Sequence, residues 1–199
     1  MEDFPMKKIS LFLVIFIFST SLGTYSISQS KKYSFRTNPL PLHENEIRKV
    51  IKKYDFFHGY INKNGKGIKH AYSSKTLKGD NVIVDKTTCL MWQKSEYRVC
   101  TMKEFGGLMK RLNNNGYAGF SDWRLPTLEE ALSLLESNSS NFEYYIDPIF
   151  NLDKGRIWTA DRITGLRGKP AIVNIQKATH GAPADSYVKF AILAVRSIN

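Results

Sequence analysis

Cysteine is scarce in this chain. There are only two, Cys89 and Cys100, and none follows Cys100. That excludes a disulfide-dense scaffold and a multi-thiolate zinc site. The four histidines, His43, His58, His70 and His180, fall in no metalloprotease or zinc-finger spacing, and none lies between the cysteines. No metal site and no cofactor is therefore expected. A Gly-x-Ser-x-Gly nucleophile elbow is missing as well. The glycine-rich turn Asn62-Lys-Asn-Gly-Lys-Gly67 lacks the Gly-Lys-Ser/Thr ending and the preceding strand of a phosphate loop. The apolar run Leu11 to Leu22 is shorter than the about 20 residues a bilayer span needs. Acidic residues are also outnumbered, 18 against 29 Lys and Arg, which leaves a net charge of +11.

What is present reads as a globular chain. Its 199 residues, 42% hydrophobic and 13% aromatic, suffice for one domain with a core and appendages. Lys7 and Lys8 precede Leu11–Phe18, and small and polar residues follow, Ser19 to Gly23. That pattern predicts a signal peptide over residues 1–28 and export to the periplasm, cell surface or medium. An uncleaved N-terminal anchor is the alternative, and no membrane span is expected once the signal is removed. The charge sits mostly in one part: residues 31–78 hold twelve Lys and Arg against three Asp and Glu, while residues 79–199 are nearly neutral.

Along the chain, Ser28 to Leu42 reads as an irregular basic arm. Glu44–Tyr54 carries Ile47, Val50, Ile51 and Tyr54 on one helical stripe, with acid at its start and base at its end. Residues 29–54 thus form an arm and a short amphipathic helix ahead of a domain over 55–199. Asn81–Lys86 and Leu90–Gln93 read as a hairpin. Thr101–Leu112 is predicted as a second helix, with Thr101 and Glu104 as capping box and Phe105, Leu108, Met109 and Leu112 as stripe. A third is predicted over Thr127–Leu135, where Thr127 and Glu130 repeat the capping box behind Pro126, and Leu128, Ala131, Leu132 and Leu135 form the stripe. Strands are expected at Arg156–Ala160, Ala171–Ile175 and Val188–Arg196, with loops at Asp161–Pro170 and Lys177–Ser186. A Cys89–Cys100 disulfide would add roughly 3 kcal/mol on the chain-entropy account. Two free thiols are the alternative, because spacing does not fix the geometry.

The most informative stretch is Gly116-Tyr-Ala-Gly-Phe-Ser-Asp-Trp-Arg-Leu-Pro-Thr-Leu-Glu-Glu-Ala131. With Val82-Ile-Val-Asp85, Thr87-Thr-Cys-Leu-Met-Trp92, Ile157-Trp-Thr-Ala-Asp161 and Ala194-Val-Arg-Ser197, it resembles the Lcl C-terminal domain family. That bacterial family is distantly similar to the C-type-lectin-like fold and to formylglycine-generating enzymes. The resemblance implies an α+β fold, a lectin-like core of short, mostly antiparallel strands with two or three flanking helices. Family members usually carry glycine where this chain has Cys89. Trp92, Trp123 and Trp158, each inside a matching motif, read as core residues rather than sugar platforms. Asp122, Arg124 and Arg196 read as structural ion-pair partners.

The enzymes of that wider group use a cysteine pair late in the chain, which is missing here, so a non-catalytic binding module is expected. The alternatives are an enzyme or enzyme relic of that type, or an interaction partner of another envelope protein. The expected ligand is an acidic polysaccharide or other cell-surface ligand, held by Lys63, Lys66 and Lys69, helped by Arg167 and Lys169 in the loop where the resemblance places binding. A solvated basic face is the competing reading of these residues. No nucleic-acid motif accompanies them, so no nucleic acid is expected as partner.

Overall fold

A computed structural model describes residues 33–94, 99–138, 143–152 and 154–198. The signal segment expected over 1–28 lies outside the described residues. The described residues form an α+β fold with three helices and ten strands in two sheets. In chain order these are β1 (Pro41–Leu42), α1 (Glu44–Lys53), β2 (Tyr72–Leu77), β3 (Asp80–Asp85), β4 (Leu90–Gln93), β5 (Val99–Cys100) and α2 (Phe105–Asn114). Next come α3 (Leu128–Ser133), β6 (Arg156–Ile163), β7 (Lys169–Asn174), β8 (Thr179–Gly181), β9 (Phe190–Ala191) and β10 (Val195–Ser197). The smaller sheet runs β10-β4-β3-β2, antiparallel throughout. The larger runs β5-β9-β6-β7-β8, with β1 added parallel to β6 at Arg162 and Ile163.

Period-two alternation explains why β3 and β4 are buried on both faces. Ile83, Leu90 and Trp92 enter the main core, while Val82, Val84 and Met91 enter a second cluster with Trp123. Trp158 belongs to a third cluster with Cys100, Leu125, Ile172 and Phe190. Each apolar cluster thus holds one tryptophan, and all three are at most 2% exposed. The Trp123 indole donates to the Tyr117 carbonyl at 2.9 Å, and Trp158 to the Cys100 carbonyl at 2.9 Å. Trp92 Nε1 departs from this pattern: it has no partner among the described residues.

Several expectations need correction. The second helix starts at Phe105, one turn later than Thr101, because the Glu104 N–H bonds the Thr101 carbonyl in a tight turn. The Glu104 carboxylate still accepts from the Thr101 N–H at 2.8 Å, but it closes that turn rather than a helix. The third helix ends at Ser133, as Leu134 N–H reaches back only to Ala131. The capping box holds: Thr127 N–H donates to Glu130 at 2.8 Å, and Glu130 N–H to Thr127 Oγ1 at 3.3 Å. The loop expected at Asp161–Pro170 shrinks to residues 164–168, because β6 continues to Ile163 and β7 starts at Lys169. The single strand expected at Val188–Arg196 is two: β9 pairs with β5 and β6, and β10 pairs with β4 in the other sheet. Both cysteines are free thiols, so the disulfide is not formed. Cys89 sits at φ 55, in the left-handed region where glycine is the easier residue.

The described residues form one compact unit, with Phe35 and Leu42 of the arm and Ile47 and Ile51 of α1 packed into its core. The link is Asp161, which is fully buried. Its carboxylate accepts from Arg36 Nη1 and the Leu40 N–H, both at 2.7 Å, and from the first-turn N–H of α3 at Leu128 at 2.6 Å. One buried charge therefore fastens the arm and the start of α3 to β6, with Arg36 as its counter-ion.

Candidate functional site

The β6–β7 connection is a raised tip. Thr164–Leu166 make a 3₁₀ turn, and Arg167 at φ 55 with Gly168 at φ 64 returns the chain to β7. The Arg162 guanidinium donates to the Gly168 carbonyl at 2.8 Å and ties the two flanks together. Thr164 Oγ1 donates to the Leu42 carbonyl at 3.2 Å, docking the tip on the arm. These tethers hold Leu166 out, 47% exposed. Three adjoining hollows share Leu166, the widest of about 460 Å³. Arg167 and Lys169 line one of them, and Arg48 with Tyr60 another. Tyr60 stands 75% exposed. Lys169 is partly engaged, donating to the Ala184 carbonyl at 2.8 Å and that of Pro183 at 3.1 Å.

Beneath Arg48 and Tyr60 lies a chain of side chains that the sequence did not announce. The Tyr60 and Ile61 N–H groups point at His58 Nδ1, at 3.3 and 3.1 Å, so that nitrogen accepts. The proton then sits on Nε2, 3.0 Å from His180 Nδ1. The His180 backbone N–H also points at this Nε2, at 3.3 Å, a single longer contact that only the opposite tautomer accepts, against two backbone donors at Nδ1. His180 donates from its own Nε2 to Glu44 at 2.9 Å. Burial first, then the facing His180, pushes His58 down to about 4, so it stays neutral near pH 7. With Nδ1 taken by backbone donors, His58 has no lone pair left for a substrate proton. The relay joins α1, the turn after it and β8. His58 and His180 lie 122 residues apart, and no local pattern connects them.

Another histidine is used in the same structural way. His70 lies between Asp85, at 2.7 Å, and the Ser133 carbonyl, at 2.8 Å. Burial works against the Asp85 charge, yet bonds from His70, Thr88 and the Thr87 N–H hold its carboxyl below the usual range.

Lys63, Lys66 and Lys69 are all exposed. Asp55 builds their turn: it accepts from Asn62 Nδ2 at 2.9 Å and from the Lys66 N–H at 3.1 Å. These bonds lower the Asp55 pKa, that from Asn62 most. The Lys69 carbonyl accepts from Thr87 Oγ1 at 3.2 Å, so Lys69 leans toward the β3–β4 turn. None of the three lines the hollows around Leu166, so the two expected basic groups do not share a cavity there.

The motif charges pair internally. Arg124 grips Glu130, fully buried, through two bonds of 2.7 Å. Arg196 donates to Asp122 at 2.7 Å and stacks on the Phe120 ring 3.8 Å from its centroid. Arg124 and Asp122, neighbours of Trp123, thus bond elsewhere rather than to each other. Cys100 is buried, and that burial, with Glu104 beside it, raises its thiol to about 11. No His, Cys, Asp and Glu group among the described residues is arranged to hold a metal ion, and no helix there is long and apolar enough to cross a membrane.

Compared with known protein families, residues 81–196 match the Lcl C-terminal domain, more than half of the chain. No curated protein and no solved structure matches it.

Proposed function

The chain belongs to the Lcl C-terminal domain family, and from that premise we propose that it is an exported, non-catalytic binding module for an anionic glycan. The observation that carries this reading is the basic rim around Leu166. Arg48, Arg167 and Lys169 line adjoining shallow hollows, and one carboxylate, Glu44, faces them. An extended polyanion crosses such a surface, gathering several cations at once, and the exposed Tyr60 ring offers it an apolar face. The turn that follows Tyr60 adds Lys63 and Lys66, and Lys69 comes after it. The rival reading, an enzyme or relic of the formylglycine-generating type, needs a reactive cysteine pair. Two unpaired thiols, one of them buried with its pKa raised, do not favour it.

Binding to an immobilised sulfated polysaccharide tests the proposal. Wild type should elute at lower salt once Arg48 and Arg167 are replaced by Gln, and lower again when Lys63, Lys66 and Lys69 are also replaced. Neutral dextran should not compete, and retention should fall steeply with salt, because screening acts over about 8 Å at physiological ionic strength. Melting temperatures should hardly move, as exposed charges contribute about 0–1 kcal/mol each. Unchanged retention in the fivefold variant, or salt-insensitive binding, overturns the reading.

A further inference from the structure

The second helix is amphipathic, yet none of its ten residues is buried. Leu108, Met109 and Leu112 are half-buried, packed against the second and third apolar clusters, and they line a cleft of about 520 Å³ together with Ile192 and the start of β3. That size lies within the roughly 300–1,000 Å³ range of small-molecule sites. Two opposite charges line it. Asp80 accepts from the Ala118 N–H through Oδ2 at 2.8 Å, and its Oδ1 has no hydrogen-bond partner among the described residues. The Arg111 guanidinium lies back along the helix near Gly107, where a Cβ would stand 3.8 Å from Nη1. Among the described residues it makes neither a side-chain hydrogen bond nor an ion pair. Asp80 and Arg111 thus both line the cleft and do not pair with each other, and the Arg111 guanidinium rests at its edge, beside Gly107.

This charge layout selects its guest. A neutral apolar molecule would strip water from both ions and replace nothing. A simple anion would meet Asp80, and a simple cation would meet Arg111. We propose that the α2 cleft binds the zwitterion of an apolar amino acid or short apolar peptide. Its ammonium group pairs with Asp80 and its carboxylate with Arg111, and its apolar side chain rests on Leu108, Met109 and Leu112. Arg111 forks onto a carboxylate through two N–H donors, and Asp80 keeps one oxygen open for the ammonium. None of these residues lies on the basic surface proposed for glycan, so either site can fail without the other.

Calorimetric titration of the full chain with L-leucine, L-phenylalanine and the dipeptide Leu-Leu tests the assignment, each against its N-acetylated amide. The zwitterions should bind, and the doubly blocked forms at least about tenfold more weakly, the scale of a lost charge-assisted contact. Arg111→Gln should weaken binding by a similar factor with an unchanged thermal melt. Asp80→Asn keeps an acceptor for the Ala118 N–H and should do the same. Leu108→Trp fills the cleft and should abolish binding. Tighter binding of leucine than of Leu-Leu assigns the site to free amino acids, and the reverse order to peptide. Silence from every zwitterion at millimolar concentration, equal binding of the blocked forms, or full binding by Leu108→Trp overturns the proposal.

Discussion

At the scale of single residues, His58 makes stability depend on pH. It faces His180, Glu44 and Arg48, and its folded-state value of about 4 lies below the ordinary 6.5. Between those values the unfolded chain binds the extra proton and the folded one does not. The stabilisation is therefore complete above about pH 6.5 and is lost as pH falls toward 4. Urea midpoints at pH 7, 5.5 and 4 should decline for wild type more than for His58→Gln. The difference between the two chains isolates this group from carboxylates that titrate below pH 5. Equal declines would remove His58 as the source. Nothing near His58 in the sequence forecasts this, since its partner stands 122 residues away. Cys89 is the opposite case: the glycine that the family resemblance leads one to expect at its position implies a left-handed turn, and Cys89 adopts that conformation at φ 55.

Among elements, α3 is too short at six residues to stand alone. It persists because Thr127 caps it, Asp161 receives its Leu128 N–H, and Arg124 neutralises Glu130. Arg124 and Arg196 each pair with a motif carboxylate, but burial separates them. Glu130 has no exposed side chain, whereas Asp122 is 59% exposed. Arg124→Ala strands a buried charge and should destabilise by about 3 kcal/mol. Arg196→Ala should lose only about 1 kcal/mol, mostly its contact with the Phe120 ring. Equilibrium denaturation of the two variants should rank them in that order. The cap and stripe of α3 were legible because both are local signals. So was the β3–β4 hairpin, from two apolar runs around a polar turn. The start of α2 was not, because Thr101 and Glu104 satisfy the same bonds in a turn, and Gly106 and Gly107 weaken helix just beyond it. Strand β2 carries no such signal, because Tyr72-Ser-Ser-Lys-Thr-Leu77 is a largely polar edge with little apolar alternation.

For the whole molecule, the decisive contacts join distant parts of the chain. Pro41 pairs with Arg162, Arg36 with Asp161, and Val195 with Trp92. None of these is a local pattern, so the α+β class could be expected from motifs while the division of the last strand between two sheets could not. Ile192, Leu193 and Ala194 are buried apolar residues that would suit either sheet. Removing residues 195–199 should uncover β4 beside Trp92 and delete the paired Arg124–Val195 backbone bonds of 3.0 and 2.9 Å. The truncated chain should lose its cooperative thermal transition while retaining partial far-ultraviolet circular dichroism. A sharp melt in that chain would show that β10 is dispensable.

The placement of β9 and β10 also has a consequence in time. Both sheets receive a strand from residues 190–197, and β9 lies between β5 and β6 in the larger one. While the ribosome's exit tunnel still holds those residues, neither sheet can be completed, however much of the chain has already emerged. Contacts this far apart in sequence also place folding on the slow side, about milliseconds to seconds. The finished domain therefore cannot exist until residues 190–197 are free to pair with β4, β5 and β6.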